Sequence, residues 1–564
     1  MPSELDLKVD AVLAAVTKPG EGRIQLGRDE NGRAIVTNLP PTLPLLFDAF
    51  CMLNGAVEAV VAGEERLTFA DLNRHANRLA QALVARGVTK GDRVAIAMRN
   101  CPAWIVGYMA ALKAGAIATL VNGWWQADEL KHGLELTAPR LIIADAARAK
   151  RIAATGIGAD LVTLDVEQPL DGALAQLLGG ISVEAALPDV GPEDDATILF
   201  TSGSTGLSKG AVSTHRAVTT GVYAYAMGLA TLLGLKELMG DPPKNPPKTL
   251  VNVPLFHVTG EVPVLLNSFV IGRSMVLMPK WDPGEALRLI EQETVTYFVG
   301  VPTMSLELMA HPDRDKYDLS SLTDIAAGGA PRPVAHVKRL QDSFRTAQPA
   351  LGYGLTETNA VGCSNFWSNY ADKPASTGRP QKPIVELAIL GADGAHLPAG
   401  ERGEVAIRSA ANIRGDWQDA RATAAAFTAD GYFRTGDVGY LDEDGYLFIV
   451  DRLKDIIIRG GENICAAEVE SAIYAHDKVS EAAVFGVADE RLGEVPGAVI
   501  HCEEPDALDA PALTAFLQDR LAGFKIPAHI WLHADPLPKL GTGKIDKVSL
   551  RNRYRGQATA ASQT

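Results

Sequence analysis

The stretch Phe200-Thr201-Ser202-Gly203-Ser204-Thr205-Gly206-Leu207-Ser208-Lys209-Gly210 decides how this chain is read. It packs three glycines, five hydroxyls and one lysine into one short run. The preceding Ala196-Thr197-Ile198-Leu199-Phe200 is apolar and rich in branched residues, which predicts a buried strand. Glycines let successive backbone N–H groups converge on one anion, the hydroxyls add neutral donors, and Lys209 adds a mobile charge. That combination suits a grip on a polyphosphate. A Walker A loop is excluded by spacing, because the residue five after Gly203 is Ser208 and Lys209 is followed by Gly210. A flexible Gly/Ser linker is the bland alternative, and linkers seldom sit between an apolar strand and Ala211-Val212.

A chain of 564 residues is too long for one hydrophobic core, so at least two domains are expected. The formal net charge of −15 argues against nucleic acid or an anionic membrane as main partner. Five scattered cysteines, with no C-x-x-C pair, argue against a disulfide framework or a zinc site and fit a reducing cytoplasm. The N-terminus, Met1-Pro2-Ser3-Glu4-Leu5-Asp6, lacks the apolar core of a signal peptide. Trp104 to Trp125 is the one stretch that tempts a membrane reading. Lys113 near its middle favours a buried helix ending at Gly115, followed by the strand Ala116 to Val121, so no integral membrane segment is expected. A homodimer is left open.

From Thr68-Phe69-Ala70-Asp71, a capping-box signature, Leu72, Ala76, Leu79 and Leu83 mark one face of a helix closed by Gly87. Strands then alternate with helices, which predicts layered α/β sheets, largely parallel. The proline-rich run Gly240 to Lys248 reads as a surface excursion, and the Ala/Ser/Thr/Gln-rich tail after Arg555 as frayed.

Further motifs follow in order. Pro254-Leu255-Phe256-His257 ends a strand and sets a histidine at its mouth. Gly328-Gly329-Ala330-Pro331 is a tight turn against which a flat ring fits. In Gly352-Tyr353-Gly354-Leu355-Thr356-Glu357, Tyr353 offers a ring face, Thr356 a donor and Glu357 a hard oxygen ligand for Mg²⁺ held jointly with phosphates. Arg434-Thr435-Gly436-Asp437 carries a carboxylate able to accept from a ribose diol. Asp451-Arg452-Leu453-Lys454-Asp455 leads into Gly460-Gly461-Glu462-Asn463-Ile464, and Gly541-Thr542-Gly543-Lys544-Ile545 projects a lysine near the end of the chain.

These motifs, in this order and over nearly the whole chain, resemble the adenylate-forming superfamily of acyl-CoA synthetases, luciferases and peptide-synthetase adenylation domains. Ser208 replaces the usual proline of the phosphate loop. The resemblance implies a large adenylation domain, residues 1–453, and a small mobile α/β domain, residues 454–564, hinged at Lys454. It implies ATP and Mg²⁺ as needs of the first step and CoA as co-substrate of the second. The nucleotide is expected at Thr201, Ser202, Gly203, Ser204, Thr205, Gly206 and Lys209, at Gly329, Ala330 and Pro331, at Gly352, Tyr353, Gly354 and Thr356, and at Asp437 and Arg452. Lys544 is expected to be catalytic with Lys209, Thr356, Glu357 and His257, and Gly460, Gly461 and Glu462 to meet CoA. His257 stands where amino-acid-activating relatives commonly carry an aspartate, which favours an apolar acid without an α-amino group, such as a medium- or long-chain fatty acid or an arylalkanoic acid. Residues lining its pocket are expected in 214–235, at Val258 and in Asn359 to Gly362. Two alternatives remain at this point: a stand-alone enzyme loading a carrier protein, and a non-catalytic nucleotide-binding regulator.

Overall fold

The structure is a computed structural model, and it describes residues 2–179, 185–202, 208–330, 332–460, 462–502, 508–540 and 543–561. Two large sheets dominate the N-terminal part. One has seven strands, with Arg93–Ala97 central, Ile117–Leu120 and Leu141–Asp145 parallel to it on either side, and Asp195–Ser202 beyond Ile117–Leu120. The other has nine strands, whose parallel centre is Lys248–Val251, Tyr297–Gly300, Asp324–Ala327 and Gln348–Gly354. An antiparallel sheet follows, built from Glu386–Leu390, Gly403–Arg408, Phe433–Leu441 and Leu447–Arg452. The C-terminal part has its own sheet, in which Glu481–Asp489 pairs along its length with Gly493–His501 and His529–His533 adds a parallel strand. The expected class of a large N-terminal and a small C-terminal α/β domain is the observed one.

Local chemistry accounts for the elements. Thr68 Oγ1 accepts from the Asp71 N–H at 3.1 Å and Asp71 Oδ2 accepts from the Thr68 N–H at 2.9 Å, so the helix Phe69–Ala85 opens on the capping box its sequence announces. The helix Pro102–Lys113 is buried at every position, and Lys113 is neutralised by Asp48 at 2.5 Å. It starts and stops earlier than a membrane reading needs, and the strand after it is Ile117–Leu120. Its ring pair Trp104–Tyr108, stacked at 5.4 Å, packs in the same core as the edge-on rings of Phe47, Phe69 and Phe269. Each such fully buried ring contributes on the order of 2–3 kcal/mol. The small domain has a separate core around Ile457, Val469, Ile473, Val484, Ile500 and Leu513.

Two elements depart from expectation. The tail after Arg555 continues the helix Lys547–Ala561, because its alanines and glutamine are good helix formers. Among the described residues one helix, His215–Leu238, is long and apolar enough to cross a membrane, and most of its apolar window is buried inside the protein. The run from Gly240 to Pro247 is exposed, as expected of it.

The N-terminal helix Glu4–Val16 is tied to the far end of the large domain through Asp6, which is 3% exposed. Its carboxylate accepts from the Tyr446 hydroxyl at 2.8 Å and from Asn369 and Arg379, each at 3.1 Å. Burial alone pushes this acid up. The Ser3 N–H, Tyr446 and Arg379 outweigh it and hold it below the usual carboxylate range. Asp6→Ala is therefore expected to lower stability by about 3 kcal/mol at neutral pH, seen as a fall in melting temperature. A lowered acid stabilises only while ionised, so the gap to wild type should close as pH drops below about 4.

Candidate active site

The strand Asp195–Ser202 and the strand Ser208–Thr214 form an antiparallel hairpin, with Ser202 opposite Ser208 and Thr201 opposite Lys209. The pairing sets Lys209 at the foot of the loop. Gly203, Ser204, Thr205 and Gly206 lie outside the described residues, as do Pro331 and Gly461. Lys209 Nζ meets Asp416 Oδ2 at 3.2 Å. Asp416 belongs to the short strand Gly415–Asp416, which pairs with Ser208–Thr214. Nothing in the order of motifs singles out Asp416; the pairing joins positions 207 residues apart.

The neighbouring sheet delivers the other side. Asp324–Ala327 runs into the turn at Gly328 and Gly329, and Gln348–Gly354 carries Gly352, Tyr353 and Gly354 into the turn Thr356–Thr358. Tyr353 donates its hydroxyl to Asp437 Oδ2 at 2.7 Å, while Arg452 Nε meets Asp437 Oδ1 at 3.0 Å. Asp437 and Arg452 stand opposite each other on Phe433–Leu441 and Leu447–Arg452, so the ion pair is cross-strand. Asp437, 3% exposed, has both oxygens engaged, and a ribose diol bonding to it must share or displace one partner. Burial first, and the Asp437 carboxylate second, push the Tyr353 hydroxyl well above its ordinary pKa, so it remains a donor.

Lys544 reaches this group from the small domain. A Cβ on Gly329 would lie 3.2 Å from its Cε and 3.4 Å from its Nζ, and Gly329 has φ +75°, so the turn demands glycine for both its conformation and the lysine above it. Gly543, at φ +80°, sits the same way against Val301 and Met304 of the large domain. Burial lowers the Lys544 ammonium to about 8, Arg452 adds repulsion, and Asp437 and Glu357 pull in the opposite direction. Glu357 is raised by burial and by the Asp416 and Asp437 carboxylates, with Arg452 opposing. Burial, with Lys544 beside it, lowers His257 to about 3, which keeps the imidazole neutral. Its Nδ1 accepts from the Thr259 N–H at 3.4 Å, which leaves Nε2 as the ring's donor.

Most of the expected site residues thus converge: Lys544, Gly329, Glu357, His257, Tyr353, Asp437 and Arg452 share one cleft, with Thr356 and Ala330 in its turns and Lys209 on the Asp416 side. Gly460 and Glu462 do not join them. Gly460 donates its N–H to the Leu492 carbonyl at 2.7 Å within the small domain, and Glu462 is exposed. Lys454 lies exposed in the turn between Leu447–Arg452 and Ile457–Arg459. Pocket candidates meet where the Tyr225 hydroxyl, on the helix His215–Leu238, donates to the Ala360 carbonyl at 2.7 Å.

A chemistry emerges from this arrangement. Cations and neutral donors surround a space bounded by a glycine turn, as needed where two anions are brought together. Among the described residues no three metal-ligating side chains cluster. Glu357, a raised carboxyl near two other carboxylates, nevertheless has the hard-oxygen chemistry that suits one protein ligand of a Mg²⁺ shared with phosphates.

Comparison with known proteins agrees with this chemistry. Residues 47–417 match the family model described as AMP-binding enzyme, and residues 468–544 the model described as AMP-binding enzyme C-terminal domain. The chain is 37% identical to a feruloyl-CoA synthase of Amycolatopsis sp. over 503 residues, covering 88% of this chain and 96% of that protein. It is 33% identical to a long-chain-fatty-acid–CoA ligase of Bacillus subtilis, covering 88% and 90% respectively. The crystal structure of ATP-bound MatB from Rhodopseudomonas palustris superposes with a TM-score of 0.79 at 29% identity, covering 91% of this chain and 99% of that one. The chain belongs to the AMP-binding enzyme family, the adenylate-forming superfamily, and is an ATP-dependent, AMP-forming acyl-CoA ligase.

Proposed function

We propose that this ligase activates an apolar carboxylic acid in two half-reactions that use different placements of its small domain, taken as residues 454–564 and hinged at Lys454. The observation that carries the reading is Lys544, a small-domain residue seated against Gly329 of the large domain among Glu357, Asp437 and Arg452. In the first half-reaction an acid oxygen attacks the α-phosphorus of ATP, and pyrophosphate leaves with the bonding pair. Lys544 holds the two anions together, the His257 Nε2–H orients the carboxylate, and Thr356 donates to the α-phosphate. Lys209 and the hydroxyl loop retain the β- and γ-phosphates, and Asp437 and Arg452 hold the ribose. Mg²⁺ at Glu357 supplies charge neutralisation of the phosphates when bound. One well-placed cation of this kind contributes on the order of 10²- to 10³-fold.

In the second half-reaction the CoA thiolate attacks the acyl carbon and AMP departs. Lys544 has no role there, and its departure makes room for the thiol. The segment bearing Gly460 and Glu462 then swings toward pantetheine, which accounts for their distance from the cleft now. The five cysteines are free thiols, which suits the reducing cytoplasm in which we place the enzyme.

For the acid, a neutral histidine and a mostly buried helix His215–Leu238 offer no partner for an ammonium group. The relatives named for feruloyl and long-chain fatty acyl groups share a carboxylate on an apolar body, and we assign that class here. The test is pyrophosphate exchange without CoA over a panel of ferulic, decanoic and hexadecanoic acids and phenylalanine. Exchange with an apolar acid and none with phenylalanine is expected; the reverse overturns the assignment.

Two further outcomes follow from Lys544. Lys544→Ala should lower acid-dependent pyrophosphate release by about 10²-fold or more and leave CoA thioester formation from supplied acyl-AMP near wild type; equal loss in both assays would sink the two-placement account. The ammonium is the working form, so kcat/KM for pyrophosphate release should fall as pH rises through about 8. At saturating ATP the phosphates favour the charged lysine, and the alkaline limb of kcat should move to higher pH.

A further inference from the structure

Lys539 lies five residues before Lys544, on the arm of the turn that leads into it. The two arms are braced. Lys539 and Ile545 form an antiparallel bridge, the Leu540 N–H donates to the Lys544 carbonyl at 2.7 Å, and the Asp546 N–H to the Pro538 carbonyl at 2.8 Å. The base is clamped within the small domain by Glu481, 7% exposed. Its Oε2 accepts from the Leu537 N–H at 2.6 Å and its Oε1 meets Lys539 Nζ at 2.9 Å.

The same ammonium reaches the large domain. Lys539 Nζ meets Glu307 Oε1 at 2.9 Å, on the helix Pro302–Ala310, and the other Glu307 oxygen accepts from the Trp281 indole N–H. Nearby contacts between the domains are of a different kind: Gly543 against Val301 and Met304, and the His336 ring edge-on to Tyr474 at 5.8 Å. These are short-range packing contacts. Among the described residues no other ion pair joins residues 1–453 to residues 454–564.

We propose that Lys539 is a positioning residue, whose bond to Glu307 latches the small domain in the placement that seats Lys544 and must open before thioester formation. The inference rests on the reading that Lys544 acts in the first half-reaction. The burial of the partners suits a reversible latch. Glu481, 9% exposed at its side chain, keeps Lys539 paired when the domain leaves, whereas Glu307, 36% exposed, is left where water can solvate it. Opening strands no buried charge on either side, and closing regains a bond whose acceptor Trp281 already orients. The braced arms transmit the position of Lys539 to Lys544.

Lys539→Met, Glu307→Gln and the double variant test this, with ferulic and hexadecanoic acids and their acyl-adenylates as probes. Glu307→Gln keeps the Lys539–Glu481 clamp and an acceptor for Trp281, so it separates the latch from folding of the turn. Each single variant is expected to lower acid-dependent pyrophosphate exchange about three- to five-fold, the double variant no further, with thioester formation from supplied acyl-adenylate unchanged or faster. Deuterium uptake at 301–310 and 327–330, which needs no acid to turn over, should rise in both singles and no further in the double. Additive losses, equal loss in both half-reactions, or unchanged uptake overturns the latch. A Lys544→Ala enzyme that fails equally in both half-reactions while the uptake pattern holds would instead reject the role of Lys544 and spare the contact.

Discussion

Lys544 enters a cleft that already holds the Arg452 guanidinium, and the two cations compete for Asp437 and Glu357. Arg452 has the better claim, in direct contact with Asp437 at 3.0 Å. Burial and that repulsion together depress the lysine to about 8, and the two carboxylates compensate only in part. A buried ammonium without full compensation is costly, and it is relieved by neutralising the lysine, by withdrawing it, or by bringing in more negative charge. ATP and the acid bring that charge. On the proposed two-placement reading, the occupancy of the site and the placement of the small domain are tied through this ammonium.

The folding pattern makes that meeting possible. The turns at Gly329 and Glu357 follow adjacent strands of one sheet, so their separation is set by strand spacing. Tyr353 fixes Asp437 from this sheet, and Asp437 fixes Arg452 across a strand pair whose next residues leave for the small domain. A hydrogen bond and an ion pair therefore run in series from Tyr353, on the strand beside the glycine turn, to the connection between the domains. The first residues of that connection are exposed at Arg452, Leu453 and Lys454, while Asp451 just before them is buried. Asp451, its carboxyl raised to about 6 by burial, is the last buried residue before this exposed run.

Features written in neighbouring residues were legible beforehand. The Thr68–Asp71 capping box needs only four consecutive residues, and Lys113 in an apolar run already signals a buried, paired lysine rather than a membrane span. The turn at Gly328 and Gly329 and the strand that leads into Thr201 are legible for the same reason, because their signals lie in neighbouring residues. Asp416, Glu307 and Glu481 were not, since each matters only through a partner brought near by sheet pairing or domain contact. Composition alone does not announce that the helix begun at Lys547 runs on as far as Ala561. Both oxygens of Asp437 being engaged was beyond any pattern of residues, because it depends on strand register.

A chain with a net charge of −15 that handles polyanions must solve a problem of solvation as well as of attraction. Here three cations rest on protein carboxylates: Lys209 on Asp416, Arg452 on Asp437, Lys539 on Glu307 and Glu481. Such pairs hold long side chains extended at the positions where they are used, which removes part of the entropy that binding would otherwise cost. The more exposed of them, Lys209 with Asp416 and Lys539 with Glu307, are also cheap to open, each worth about 0–1 kcal/mol. On the proposed reading, a phosphate arriving at Lys209 exchanges one anion for another with little desolvation. On that reading Asp416, freed by the exchange, and Glu357 would both face the phosphates, and their repulsion is what a divalent cation held there would relieve.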